Sequence, residues 1–284
     1  MNIGSLPKNR PLASIIVLTC NQLKYTQQCV QSLLENTPRV FELIFVDNAS
    51  RDGTVDFLRS LAGAKVIVNQ LNKGYAAGCN QGLAVASGDN LVLLNNDTIV
   101  TKDWLTGLLF HARQDDSVGL LGPLSNYGAF SQGISVRLTS LREIHSFARN
   151  LRRQNFGRCL KSNFVSGMCM FIRREVVERI GGLDERFGYG NFEDDDFCLR
   201  AVLAGFKIYI ALDVFIYHYG SRTFAGEKLD YSFLLAQNWI LYKEKWGLPA
   251  DFPPAERHTF MLLDKRQFSQ ANHFIPVKQD TGYI

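Results

Sequence analysis

The chain has no cysteine pair at CxxC spacing, no internal repeat and no low-complexity tract. No stretch approaches the ~18 uncharged apolar residues that a membrane-spanning helix needs. Its six cysteines stand singly at 20, 29, 79, 159, 169 and 198 without a close histidine, which excludes a zinc module and offers no disulfide framework. Scattered thiols of this kind fit a reducing cytoplasm. The opening MNIGSLPKNRPLAS is polar and lacks the apolar core of a secretion signal, so a soluble or peripheral protein is expected. A net charge of +4 is too small, taken alone, to indicate nucleic-acid binding, and the aromatics are not interleaved with a basic stripe. Nucleic acid is therefore not an expected partner.

What the chain does have is enough material for a full core: 284 residues, 46% of them hydrophobic, fitting one large α/β domain with or without a small appendage. It also has one local charge bias. Between 137 and 161 lie Arg137, Arg142, Arg149, Arg152, Arg153, Arg158 and Lys161 against the single acid Glu143. A solvated helix face explains this, and so does a surface that meets an anionic acceptor or acidic lipid head groups.

From residue 13 the pattern alternates. ASIIVLT, FELIFVDNAS, AKVIVNQ and NLVLLNND read as strands, separated by the helical stretches YTQQCVQSLLENT, TVDFLRSLA and YAAGCNQGLAVAS. Such alternation predicts a Rossmann-like, mostly parallel central sheet flanked by helices, with ligands gathered at the carboxyl ends of the strands. The second half is less regular. Residues 120–165 read as loop-rich around a basic segment, SGMCMFIRREVVERIGGLDERF as strand, helix and turn, NFEDDDFCLRAVLAGF as a helix opened by acids, and KIYIALDVFIYH as closing strands. The tail stretch LDYSFLLAQNWILYKEKWG reads as a helix that packs back on the domain, pairs with a second copy in a homodimer, or touches a membrane.

The four strand ends carry polar sets: Thr19 and Asn21, Asp47 and Asn48, Asn72 and Gly74, and Asn95 to Asp97. Turns and helix caps explain any one of them; four coincident ends point to a ligand site. A strand-end carboxylate beside amides suits a divalent cation that also holds phosphate, since Mg2+ and Mn2+ take one or two protein carboxylates and draw the rest from water and phosphate oxygens. Asp97 is the prime ligand. The acid run Glu193, Asp194, Asp195 and Asp196 exceeds what a helix dipole needs and supplies a candidate base. An unperturbed carboxylate titrates near ~4, so Asp194 is expected to be ionised at neutral pH. His218 stands alone between a strand and a glycine turn, where spacing by itself favours a plain structural role.

The ordered series IIVLTCNQLKY, FELIFVDNASRDGT, NKGYAAGCNQGL, LVLLNNDTIV, SGMCMFIRREVVERIGGLDERF, NFEDDDFCLRAVLAGF and YHYGSRTF resembles the family 2 glycosyltransferases of the GT-A fold, over about residues 13–224. More narrowly it is similar to the bacterial rhamnosyltransferase-like branch. The resemblance implies a GT-A domain over 1–224, with a nucleotide-sugar-binding half over about 13–98 and an acceptor-binding half over about 99–224, followed by a C-terminal helical extension over 225–284. It implies that Thr19, Asn21 and Asp47 contact the base and ribose of a nucleotide sugar, and that Asn72, Gly74 and Asn80 line the same pocket. Asn95, Asn96 and Asp97 take the place of the family's Asp-x-Asp motif, His218 completes the shell of a Mn2+ or Mg2+ ion, and Arg222 lies toward the diphosphate. Asp194 matches the family's base, with Glu193 orienting the acceptor, a glycan, glycolipid or glycoprotein.

Two departures stand out. Asn95 replaces the first acid of Asp-x-Asp, so one metal ligand is neutral or absent, and Asp195 adds a carboxylate that leaves the base open between 194 and its neighbours. Two rival readings are a sugar-phosphate nucleotidyltransferase, disfavoured because VLTCNQLKY holds no glycine for a phosphate loop, and a noncatalytic binder, disfavoured by the intact Asp97 and Asp194.

Overall fold

The structure, a computed structural model, describes residues 12–37, 41–128, 130–220, 230–258 and 266–278. Strands β1 (Ala13–Thr19), β2 (Phe41–Asn48), β3 (Lys65–Asn69) and β4 (Asn90–Asn95) run parallel in the order β3-β2-β1-β4, linked by helices α1 (Leu23–Asn36), α2 (Thr54–Arg59) and α3 (Tyr75–Val85). All eight residues of β2 are buried, which is why these strands read as unbroken apolar runs: helices cover both faces of the sheet.

Beyond β4 the sheet becomes mixed. Its order continues through β8 (Cys169–Arg173), β6 (Val118–Leu124), β9 (Lys207–His218) and β5 (Thr98–Val100), with β7 (Cys159–Ser162) also on β9. β8 is antiparallel to both β4 and β6, whereas β6 and β9 are parallel. The twelve residues read as closing strands form one strand, β9. Its first half pairs with β7 and its last three residues pair with β5.

One feature of the second half differs from the sequence reading. The stretch expected to be loop-rich opens with β6, seven buried residues inside the sheet: Gly122 and Pro123 look like turn residues, yet Gly122 pairs in register with Ile210 and Pro123 sits beside a register shift against β9. The basic segment is largely one helix, α5 (Leu141–Asn155), started by a capping box in which Ser140 Oγ accepts from Glu143 N–H and Glu143 Oε2 accepts from Ser140 N–H. Helix α4 (Trp104–Ala112) lay in a stretch that gave no amphipathic signal, since most of its residues are buried.

Helices α1, α2 and α4 pack on one face of the sheet, with Leu33, Leu58 and Trp104 in one core cluster. On the other face lie α3, α5, α6 (Arg174–Ile180) and α7 (Glu193–Leu203). A third cluster joins α7 to the tail helix α8 (Tyr231–Trp246): Trp239, Tyr242 and Trp246 pack with Phe187, Phe192 and Leu199. Full burial of a large apolar side chain contributes roughly 1.5–3 kcal/mol, so this cluster is a firm attachment. Asp196 lies beneath it. It receives Arg200 Nε at 2.8 Å, Trp246 Nε1 at 3.1 Å and Lys245 Nζ at 2.5 Å.

All six cysteines are free thiols, and only Cys159 is exposed. No helix among the described residues is long and apolar enough to cross a membrane.

Candidate active site

Parallel pairing sets the first three strand ends side by side, with Thr19 in register with Asp47 and Asn48 with Asn69. Asp47 is fully buried and accepts from Thr19 Oγ1 at 2.9 Å, Ser50 N–H at 2.8 Å and Ser50 Oγ at 2.5 Å. Asn21 Oδ1 accepts from Arg51 N–H at 2.8 Å. Asn21 and Gln22 have φ of 53° and 63°, a left-handed conformation that costs a non-glycine residue roughly 1–2 kcal/mol. Asn72 Oδ1 accepts from Gly74 N–H at 2.9 Å, and the Gly74 carbonyl accepts from Asn48 Nδ2 at 2.9 Å. Gly74 is glycine for two reasons: its φ is +87°, and a Cβ would lie 2.2 Å from the Gly188 carbonyl oxygen.

Asn80 stands apart from this set. Its Oδ1 accepts from Leu183 N–H at 2.8 Å and its Nδ2 donates to the Leu183 carbonyl and to Glu185, so the buried side chain ties α3 to the turn after α6 instead of facing a pocket. Arg222 lies outside the described residues.

The fourth strand end meets β9. Antiparallel pairing sets Thr98 opposite His218, and this brings His218 Nε2 to 3.0 Å from Asp97 Oδ1. The other ring nitrogen, Nδ1, lies 3.2 Å from the Tyr127 carbonyl oxygen. Asn126 fixes the His218 backbone from both sides, accepting its N–H at 2.8 Å and donating to its carbonyl at 3.0 Å. Asn96 is buried and donates to Thr26 Oγ1 at 2.9 Å; Asn95 is half-buried and reaches the cavity wall.

The four acids of α7 divide their work. Asp195 is taken by the tail, receiving Arg257 Nε at 2.8 Å and His258 Nε2 at 2.7 Å, and Asp196 is held under the aromatic cluster. Glu193, Asp194 and the ion-paired Asp195 all line the cavity, while Asp196 does not. Asp194 accepts from Gly167 N–H and Asp195 N–H, both at 3.0 Å. Burial, reinforced by the charge of Asp195 and opposed by those two N–H groups, pushes its pKa up to about 7. Full ionisation at neutral pH is thus corrected to partial ionisation. Glu193 is 5% exposed, its Oε2 has no hydrogen-bond partner, and burial and the Asp194 charge hold its carboxyl well above the usual range.

One cavity of about 530 Å³ joins these groups, lined by Asn95, His218, Glu193, Asp194 and Asp195 together with Tyr127, Tyr189 and Arg257. Asn191 and Phe192, just before α7, have φ of 78° and 71°. The tail holds this strained pair: Asn238 Nδ2 donates to the Gly190 carbonyl at 2.8 Å, and the Phe192 ring packs against Trp239. Asn191 Nδ2 is a second buried polar atom of the cavity without a partner. Unmet donors and acceptors of this kind suit a polar ligand. Thr19, Asn21, Asp47, Asn72, Asn96 and Asp97 do not line this cavity; Thr19, Asp47, Asn96 and Asp97 are buried, and Asp97 touches it only through its bond to His218. Tyr127 and Arg257 were invisible to sequence reasoning, since no motif marks a tyrosine or arginine that tertiary packing alone carries to the site.

Among the described residues no three His, Cys, Asp or Glu side chains converge as a metal cage. The Asp97–His218 pair still fits a divalent cation. A neutral imidazole carries one N–H, yet both nitrogens of His218 face acceptors; with Nδ1–H directed to the Tyr127 carbonyl, the Nε2 lone pair and the Asp97 carboxylate face each other as two ligands.

Comparison with known proteins agrees with this architecture. The model of glycosyl transferase family 2 matches residues 14–181, more than half of the chain, and the protein belongs to that family. The chain is 26% identical over 278 residues to the uncharacterized protein y4gI of Sinorhizobium fredii, covering 91% of this chain but only 30% of that protein. It is 26% identical over 236 residues to Glycosyltransferase AglE of Haloferax volcanii, covering 81% of this chain and 73% of AglE. Among solved structures, the mannosyltransferase PcManGT of Pyrobaculum calidifontis, in complex with GDP-Man and Mn2+, superimposes with a TM-score of 0.60 at 20% identity, over 91% of this chain and 70% of that one. GalNAc-T7 with UDP, GalNAc and Mn2+ gives a TM-score of 0.59 at 18% identity, over 75% of this chain and 44% of that one. The fold is GT-A.

Proposed function

We propose that the protein is an inverting glycosyltransferase that moves a sugar from a nucleotide-diphosphate sugar, a UDP-sugar or dTDP-rhamnose, to a hydroxyl of a glycan, glycolipid or protein-linked acceptor. The observation that carries this reading is the cavity whose lining includes both His218, bonded to Asp97, and Asp194. The donor half comprises the strand ends up to about residue 98, where Thr19, Asn21 and Asp47 receive the base and ribose. Asp194 takes the proton of the acceptor hydroxyl. The oxygen attacks the anomeric carbon from the face opposite the diphosphate, and the bond to the diphosphate oxygen breaks with both electrons leaving on the diphosphate, so the configuration inverts. Glu193, whose carboxyl is held above the usual range by burial and the Asp194 charge, orients a sugar hydroxyl by hydrogen bonding. Mn2+ or Mg2+ bound by Asp97 and His218 supplies charge neutralisation for the leaving diphosphate. A pKa of about 7 suits Asp194 to this task, since a general base works best when it titrates near the working pH.

The test is a thermal-shift panel of nucleoside diphosphates and nucleotide sugars, with and without Mn2+, because a ligand of the folded state raises the melting temperature. At least one nucleotide is expected to stabilise the protein, more strongly with metal. If none does under either condition, the reading fails.

A further inference from the structure

The basic segment 137–161 plays no part in the cavity. Of its seven cations only Arg152 turns inward, its Nε 3.6 Å from Asp103 and its Nη1 3.9 Å from Asp213. Arg137, Arg142, Arg149, Arg153, Arg158 and Lys161 are exposed, and among the described residues none of them pairs with a carboxylate. The one acid, Glu143, is used up in the cap of α5, where bonds from Thr139 and Ser140 hold its carboxyl below the usual range. At ~100° per residue, Arg142, Arg149 and Arg153 fall within about 40° of one another on the outward side of α5. The opposite side packs inward through Ile144 and Ala148.

Apolar groups stand at the end of this row. Phe156, directly after α5, is 62% exposed and lies 5.6 Å from the Phe110 ring of α4, itself 38% exposed; Leu160 on β7 is 44% exposed. We propose that the outward face of α5, with Phe110, Phe156 and Leu160, docks on the surface of an anionic lipid bilayer. The cations meet the head groups while the apolar side chains enter the acyl boundary, the division of labour of interfacial helices. A nucleic-acid partner is disfavoured because Phe156 is flanked by Phe110 and by the Arg152 guanidinium, 5.5 Å from its ring, and offers no open platform for a base. The surface is separate from the cleft. Gly157 N–H donates to Asp213 at 3.1 Å, and Asp213 lies five residues before His218 on β9, ~16 Å away at strand rise. The inference rests on charge and exposure alone and does not depend on the transfer chemistry.

The experiment is co-sedimentation of the full chain with vesicles of phosphatidylcholine alone or with a third of the lipid as phosphatidylglycerol. Wild type is expected to sediment only with the anionic vesicles, and to be released by high salt. The double variant R149E/R153E is expected to lose binding by more than about tenfold, and F156S to lose it in part, each with an unchanged melting temperature. Equal sedimentation with both vesicle types, or undiminished binding by R149E/R153E, overturns the proposal. Binding to a single-stranded oligonucleotide without binding to anionic vesicles overturns it too.

Discussion

Asp97 and His218, 121 positions apart in the chain, meet at 3.0 Å because β5 and β9 pair antiparallel with Thr98 opposite His218. The contact follows from backbone register, so the pair is fixed before any ligand arrives. Replacing either residue should leave the fold intact while removing the metal-dependent part of nucleotide binding. For Asp97→Asn and His218→Ala we expect the Mn2+-dependent thermal shift to disappear and metal affinity to fall by roughly 10–100-fold or more, measured by titrating Mn2+ in the presence of a nucleoside diphosphate.

Asp194 gives two pH signatures. The base must be ionised to act, so kcat/KM should rise with pH on a limb whose apparent midpoint lies near the pKa of about 7; the midpoint belongs jointly to Asp194 and its acidic neighbours. Asp194→Asn should lower kcat by about 10²–10⁴-fold and leave donor binding in place. A variant that transfers sugar at the wild-type rate would remove Asp194 from the mechanism.

Stability should respond in the opposite sense. The folded carboxyl binds its proton more tightly than the unfolded one, so the stabilisation is complete below the ordinary aspartate pKa and is lost as pH rises through about 7. Asp194→Asn cannot ionise. Its melting temperature, relative to wild type, should therefore climb between pH 5 and pH 8 and level off above that.

Asp196 is a different kind of acid. Both it and Arg200 are fully buried, and Lys245 and Trp246 of the tail bond to the same carboxylate. Asp196→Ala leaves the buried Arg200 without its carboxylate partner and Lys245 with Asp184 alone, and should cost about 3–5 kcal/mol, read from the denaturant midpoint. A cost similar to that of a surface substitution would show that α8 is not anchored there.

Gly74 packs the loop before α3 against the Gly188 turn. Gly74→Ala combines an unfavourable φ with a Cβ placed against backbone, which has no flexible side chain to yield. A loss of about 1–3 kcal/mol is expected by chemical denaturation, together with weaker nucleotide binding.

The alternation of strands and helices up to Asp97 could be read directly from the chain, because hydrophobic period and turn residues are local properties. The strand-end polar sets were equally plain for that reason, and so were the four acids at the start of α7. Sequence periodicity missed β6, where Gly122 and Pro123 imitate a turn, and it could not tell that KIYIALDVFIYH is one strand. Which of the acids are neutralised by partners was beyond it as well: Asp195 is paired with Arg257 and His258 and Asp196 with Lys245 and Trp246, residues 49 to 63 positions away. Asn80 reads like a pocket residue in the chain and is a brace in the structure. Local chemistry thus determined the elements and the candidate groups, while long-range packing decided which carboxylates are neutralised, which are left buried without a partner, and which pKa is raised. Burial and charge pairing are properties of neighbours in space, and the linear order of residues does not contain them.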